Sequence, residues 1–388
     1  MIERVVLRNI RSWSAGEVTL STGPQLLWGS NGAGKTTLIE ACLVAATGRS
    51  HRAGALRELL ADGAQAGSLS LTVADNDAST GDPLARSTLS VEVLRDDRSR
   101  HLVDGTSRRS SALSARLRVA TFVPEETALV TGGPALRRST LDRIATQWRA
   151  GYRDAATRYE RALRQRNHLL KAAQAEGASA RSLSAEIAPW TELLVDAGAE
   201  IVEGRLALLA AIATPLAAAH EEVAPDEPSL SVAYRSREGY AQDATRGEII
   251  AQLSAALRDT ATAETHQGHT LVGPHRDDAI FSVGGREMAD VASRGQQRSV
   301  LLALLFAEIE MLVDDKGRPP VLLLDDAFSE LDPKRRDHLV RRIADTPQTI
   351  ITTTTLADLP PALTTGATVT EIVRGPNGSE ARGEVKRG

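Results

Sequence analysis

Nine residues near the amino terminus, GSNGAGKTT from Gly29 to Thr37, restrict what this chain can fold into more than any other stretch. Gly29, Gly34, Lys35 and Thr36, with Ser30, Asn31, Gly32 and Ala33 between them, fit the pattern G-x-x-x-x-G-K-[ST]. In that pattern small residues let backbone N–H groups turn inward around nucleotide phosphates. Lys35 is expected to reach the β- and γ-phosphates, and Thr36 to give its hydroxyl to Mg2+. A helix from Thr37 to about Ala46 then aims the positive end of its dipole at the same charge. The apolar QLLW before the glycines reads as a strand and LIEACLVAA after them as that helix, so an α/β fold around a nucleotide is expected.

Composition sets the outer limits. The chain has 388 residues, 42% of them hydrophobic, enough for one large core or two smaller domains. Its one cysteine, Cys42, has no internal disulfide partner and falls in the helix after the loop, as a small apolar residue would in a reducing cytoplasm. The opening MIERVVLRNI carries charges among its apolar residues, and no uninterrupted apolar run is long enough to span a bilayer, so neither a signal peptide nor a membrane span is expected. A net charge of −4 argues against a surface wrapped in nucleic acid but permits local basic patches.

Three regions separate along the chain. Up to about residue 135, short apolar runs (RVVLRNI, SLSLTV, STLSVEVL, VATFV) alternate with the loop helix and charged turns, which predicts mixed α/β structure. From 137 to about 224 Ala, Leu, Arg and Glu dominate. Ile187, Leu194, Ile201 and Leu208 recur every seven residues with Trp190 and Ala197 as a second series. Trp148, Tyr152, Ala155, Tyr159, Ala162 and Leu169 precede them at three-and-four spacing. Two antiparallel helices of about 35 to 40 residues follow, either as an ordinary bundle or as a short coiled-coil arm. Past the Pro-rich APDEPS, LSVAY reads as a strand, Arg246 to Ala263 as a helix, and TLVGPHRDDAIFSVGG as two strands around a charged corner.

The second chemical motif lies about 290 residues after the first. Val321 to Leu324 form a continuously apolar run, as in a central parallel strand, that ends in Asp325 and Asp326. An acid at that strand end can hold Mg2+, here Asp325 with Thr36, and the one beside it, Asp326, can polarise an attacking water. A helical insertion between two such motifs resembles the ABC-type ATPases that handle chromosomes, the structural-maintenance-of-chromosomes group among them. That resemblance implies a head built from residues 1–136 and 265–388, with 137–264 as an inserted α-helical, coiled-coil-like arm. It also implies a signature turn that caps the γ-phosphate held by a second protomer. ASRGQQRSVLL stands in its place, with Ser293, Arg294, Gly295 and Gln296; Arg294 replaces a glycine. SELD, Ser329 to Asp332, occupies the D-loop position, and where transporters carry a switch histidine stand Thr353, Thr354 and Thr355.

Three stretches narrow the resemblance: PEETALVTGGPALRRSTLD, LVGPHRDD, and SRGQQ with LLLDDAFSELDPKRRDHL. The chain resembles the RecF family over nearly its full length, with Thr140 where that family usually has an aromatic. LRNIRSW is similar to the family's opening strand and turn, which implies that Arg11 and Ser12 lie close to the nucleotide. The resemblance implies a cytoplasmic, DNA-binding protein that dimerises around ATP, with ATP and Mg2+ as cofactors. It further implies weak, DNA-dependent ATP hydrolysis. With RecO and RecR such a protein directs RecA onto gapped DNA in recombinational repair, replication restart and SOS induction. Lys35, Asp325 and Asp326 are the expected catalytic residues; slow turnover fits an aspartate at 326 where many relatives use glutamate.

DNA contacts are less marked. Arg49, Arg52, Arg108 and Arg109 are the candidates, with Arg95, Arg98, Arg100, Arg158, Arg161 and Arg164 behind them. Aromatics are 3% of the chain and no helix-turn-helix or zinc-ligand spacing occurs, so phosphate contact without sequence reading is expected. His266, His269 and His275 lack an i, i+4 pair and a nearby cysteine, and read as loop residues rather than metal ligands. Two other classes share the motifs: a transporter ATPase subunit, which would need a membrane partner, and an ATP-gated scaffold that does not hydrolyse.

Overall fold

The structure, a computed structural model, describes residues 1–74, 86–96, 98–177, 179–376 and 378–386. Contacts divide the chain into one unit of Met1–Leu129, Pro215–Pro228 and Ala292–Gly388 and a second of Val130–Thr214 and Ser229–Val291. This division departs from the boundaries expected at 136/137 and 264/265. The strand–helix–strand segment after Ser229 associates with the helices, and the foot of the longest helix belongs with the head.

The first unit begins with β1 (Ile2–Ile10), β2 (Trp13–Thr19), β3 (Gly23–Trp28), α1 (Lys35–Thr47), β4 (Ala66–Ala74), β5 (Arg86–Leu94), β6 (Ser99–Val103), β7 (Thr106–Arg108), α2 (Ser111–Ser114) and β8 (Val119–Phe122). The second contains α3 (Pro134–Trp148), α4 (Tyr152–Glu176), most of α5 (Ala180–Val223), β9 (Leu230–Arg235), α6 (Arg246–Gln267), β10 (Asp278–Val283) and β11 (Arg286–Glu287). The chain then completes the first with α7 (Arg294–Met311), β12 (Val321–Asp325), α8 (Ala327–Glu330), α9 (Pro333–Ala344), β13 (Gln348–Thr353), α10 (Pro361–Thr364), β14 (Thr368–Gly375) and β15 (Gly378–Lys386).

Two six-stranded sheets frame the first unit. One, ordered β2-β1-β4-β5-β6-β7, is antiparallel; the other, ordered β15-β14-β3-β13-β12-β8, is parallel except at β15. Alternation in the antiparallel strands turns Val5, Leu7, Leu69, Leu71, Leu89 and Val91 to one core shared with Leu27, Leu323 and Ile350 of the parallel sheet. Helix α1 is buried on every side, as its LIEACLVAA, apolar but for Glu40, requires, and Cys42 lies inside it with its thiol pushed up to about 12 by burial. Strand β12 is buried at all five positions, as its continuous apolar run predicts.

In the second unit the heptad series meets the aromatic series in antiparallel register. Tyr152 packs over Gly204, Tyr159 over Gly198, and Leu170 with Ile187. The glycines are needed there: a Cβ on Gly204 would lie 2.6 Å from the Tyr152 ring. The helices are 25 and 44 residues long rather than equal, because Gly151 and Gly177, both with positive φ, delimit α4 and leave α3 as a separate helix. α6 also packs on α4 as far as Gln174, whose Nε2 donates to His266 O at 2.7 Å, so this region is packed as a bundle. By length and composition α5 could cross a membrane, yet half of that stretch is buried within the protein, as befits a core helix.

LVGPHRDD is not a strand. Gly273 at φ +113 and Pro274 turn the chain, with Arg276 N donating to Gly273 O at 2.8 Å, and only β10 follows. Buried charge fixes this turn. Arg205 donates to both oxygens of Asp142, 2.9 and 3.0 Å, and to Pro274 O, 2.7 Å. Arg166 bonds Glu264, 2.6 Å, and Thr270, 2.8 Å, while Arg137 makes two 2.8 Å bonds to Asp278. Tyr234 donates to Asp277 at 2.6 Å, and the Tyr159 hydroxyl lies 2.6 Å from His275 Nδ1. Burial pushes Asp277 up to about 7, against the Tyr234 hydrogen bond, and pushes His275 down to about 4. His266 stands in the last turn of α6 rather than in a loop, and no metal-binding cluster of His, Cys, Asp or Glu occurs among the described residues.

Candidate nucleotide site

The parallel sheet brings the two halves of the site together. The loop leaves the end of β3, the acids end β12, and β13 lies between, paired in parallel with both. Gly29 N donates to Thr353 O at 3.3 Å, which ties the loop to the β13 end. Gly29 and Gly34 are needed where they stand. A Cβ on Gly29 would lie 2.1 Å from Ile372 O; one on Gly34, at φ +106, would lie 2.7 Å from Trp13 Nε1 and 2.9 Å from Ser12 Oγ.

Lys35 Nζ donates to Gly29 O at 2.6 Å and Ser30 O at 2.9 Å, so the ammonium is held over the loop. Burial lowers its pKa, while the carboxylates of Asp325 and Asp326 act in the opposite direction. Thr36 is half-buried and Thr37 buried at the first turn of α1, while Ser30, Asn31 and Gly32 are exposed at the loop tip and Ala33 is buried beneath it. The hydroxyl of Thr36 and the carboxylate of Asp325 are hard oxygen donors of the kind Mg2+ takes, and they fit that ion.

Thr352 on β13 joins the two acids. Its hydroxyl donates to Asp325 Oδ1 and accepts from Asp326 N at 3.0 Å. Asp326 occupies the left-handed region at φ 50, unusual for a residue other than glycine, and Ser329 Oγ donates to its Oδ2 at 2.9 Å. Of the threonines expected in place of a switch histidine, Thr353 is buried and its hydroxyl is turned to Thr355 O, 3.0 Å away.

The turn between β1 and β2 lies against the loop. Trp13 Nε1 donates to Gly34 O at 3.1 Å, and Ser12 Oγ accepts from Ser379 Oγ at 2.7 Å. Arg11, at φ 51, makes a two-bond pair with Glu40 of α1, 3.0 and 3.2 Å. Arg11 and Ser12 therefore flank the loop from its own unit. Glu40, 1% exposed, was not expected as part of the site, although a lone acid inside LIEACLVAA signals a buried partner.

At the signature turn Ser293 caps α7: its Oγ accepts from Gln296 N at 3.2 Å and Gln296 Oε1 accepts from Ser293 N at 3.0 Å. Ser293 and Arg294 are exposed. A Cβ on Gly295 would have no neighbour nearer than 3.8 Å, so nothing in this chain demands glycine there. In the D-loop Ser329 is exposed and Asp332 caps α9 through Arg335 N, 3.2 Å. Among the candidate phosphate-binding arginines, Arg52 is paired with Glu125 at 3.1 Å and lies 4.0 Å from Glu40. Arg49 and Arg109 also have partners within the chain, and Arg108 is exposed on β7.

Comparison with known proteins agrees with this geometry. The family model of the RecF/RecN/SMC N-terminal domain matches residues 1–374. DNA replication and repair protein RecF of Herpetosiphon aurantiacus is 35% identical over 374 residues, 93% of this chain and 94% of that protein. RecF of Kineococcus radiotolerans is 34% identical, with 99% of this chain and 100% of that protein aligned. The fold is similar to that of the solved recombination mediator protein RecF-ATPrS, with a TM-score of 0.83 and 24% identity over 99% of this chain and 98% of that one. It is also similar to an Smc head domain from Pyrococcus furiosus, with a TM-score of 0.52 at 15% identity over 99% and 96%. With the phosphate loop, the strand-end acids and a full-length match in hand, this chain belongs to the RecF family of ABC-type P-loop ATPases.

Proposed function

We propose that this chain is a cytoplasmic DNA replication and repair protein that two copies of itself clasp around ATP, that it binds DNA through phosphates, and that with RecO and RecR it helps load RecA at gapped DNA. The observation that carries this reading is the signature turn: an exposed, capped helix start with Ser293 outward and a glycine at 295 that its own chain does not require. Such a turn can cap a γ-phosphate brought by a second copy. In this reading Gly29 to Thr37 bind the phosphates, Arg11 and Ser12 flank them, and Lys35 neutralises charge. Thr36 and Asp325 hold Mg2+, which when bound supplies charge neutralisation across the phosphates. Asp326, kept in place by Thr352 and Ser329, orients and polarises the water. Ser293, Arg294, Gly295 and Gln296, with Ser329 and Asp332, act across the interface. Hydrolysis removes the shared phosphate and releases the pair.

The test is the oligomeric state with ATPγS, ADP and no nucleotide, by light scattering, for wild type and Ser293→Arg. Association confined to ATPγS and lost in the variant is expected; a monomer in ATPγS with the loop occupied overturns the reading. Turnover raised by gapped DNA separates this protein from a transporter subunit, and absence of turnover would leave the scaffold. Phosphate contacts at Arg49, Arg52, Arg108 and Arg109 predict affinity for DNA that falls steeply with salt.

A further inference from the structure

One guanidinium group joins two segments that lie far apart in the sequence, the signature turn and the D-loop. Arg335, in the first turn of α9, donates its backbone N–H to Asp332 Oδ1 at 3.2 Å and its Nη1 to Asp332 Oδ2. The other edge of the same group faces α7, where Nε and Nη2 donate to Ser299 Oγ at 3.2 and 2.6 Å. Ser299, fully buried, donates in turn to Gly295 O at 3.2 Å. An unbroken chain of hydrogen bonds thus runs from the D-loop cap to the signature glycine. Glu227, just past the end of α5, lies 4.0 Å from Nη2. Burial, the largest single influence, acts to raise the Asp332 carboxyl, yet the side-chain and backbone hydrogen bonds and the charge of Arg335 together hold that group below its ordinary range.

We propose that Arg335 is a positioning residue that makes the signature turn and the D-loop one rigid element, so that a second copy of the chain meets both in a single geometry. The planar fork explains the choice of residue. One edge serves a carboxylate and the other a hydroxyl on a different helix, and a lysine ammonium, a point charge on a flexible stem, cannot hold both in fixed directions. The coupling belongs to the single chain; its consequence for association rests on the function proposed above.

Two measurements test it. In the nucleotide-free protein, Arg335→Lys is expected to speed amide hydrogen exchange by roughly tenfold in both 293–299 and 329–335, with 29–37 unchanged. Ser299→Ala, which cuts the same chain of bonds from the other end, is expected to loosen the same two segments. Faster exchange in 329–335 alone, or in neither, overturns the coupling. With ATPγS, Arg335→Lys is expected to bind nucleotide as wild type does but to associate about tenfold more weakly; undiminished association overturns the positioning role. If wild type itself fails to associate, the proposed function falls, while the exchange measurement still decides the coupling.

Discussion

Around the phosphate loop, in the first unit, position is set by main chain: strand ends in register, a glycine pressed against Ile372 O, a lysine held on two loop carbonyls. Around LVGPHRDD, in the second, position is set by side chains, with Arg205, Arg166 and Arg137 each bridging residues far apart in sequence. Main-chain positioning tolerates change in most side chains, since the hydrogen bonds survive substitution. Positioning by buried ion pairs does not, because removing one partner strands the other in a medium of low dielectric.

The largest consequence falls on Arg166. Glu264 is wholly buried beneath it, so Arg166→Met is expected to cost about 3–5 kcal/mol in urea unfolding, and pairing it with Glu264→Met to recover most of that. The matching change in the first unit, Arg11→Met, should cost less, about 1–2 kcal/mol, because Glu40 keeps the Ser50 hydroxyl and Arg52 stands 4.0 Å away. Equal losses from the two single variants would erase the contrast between the units.

A smaller effect lies in pH. His275 has a folded pKa of about 4 against an ordinary 6.5, so between those values the unfolded chain alone holds a proton and stability falls as pH falls. Asp277, at about 7 against an ordinary 3.8, holds a proton only when folded across that range, so its contribution rises as pH falls. The two offset each other from about 6.5 to 4. Asp277→Asn removes the second, and relative to wild type its stability should decline by up to about 1.4 kcal/mol per pH unit over that window. Parallel curves for the two proteins would show that the pair does not titrate as described.

Smallest in stability is Asp326→Asn. Asparagine tolerates the left-handed backbone and can still accept the Ser329 bond, so unfolding free energy should shift by under about 0.5 kcal/mol. Single-turnover ATP hydrolysis should nonetheless slow by about a hundredfold. Wild-type turnover in this variant would remove Asp326 from the chemistry.

How much of this was legible in the sequence follows the same contrast. The places of Gly29, Lys35, Asp325 and the capping Ser293 in the fold were readable because short motifs encode the local backbone geometry that sets them. Thr352 was not, since nothing distinguishes it from the three threonines after it until β13 is placed between β3 and β12. Arg205 likewise looks like any surface arginine until the distant Asp142 is brought to it, and Arg335 until Ser299 of another helix is. The unequal helices and the turn at Gly273 turned on glycines whose positive φ no periodicity reveals.

β3, which carries the phosphate loop, has β13 on one side and β14 on the other, and both come from the far end of the chain. A ribosome therefore releases this strand long before either neighbour exists. At about 5–20 residues per second, the roughly 320 residues in between take some tens of seconds to synthesise. For that interval an apolar segment must be shielded by something other than its own sheet. The anchors that hold the phosphate loop, Thr353 O and Ile372 O, thus reach it only once β13 and β14 have been made.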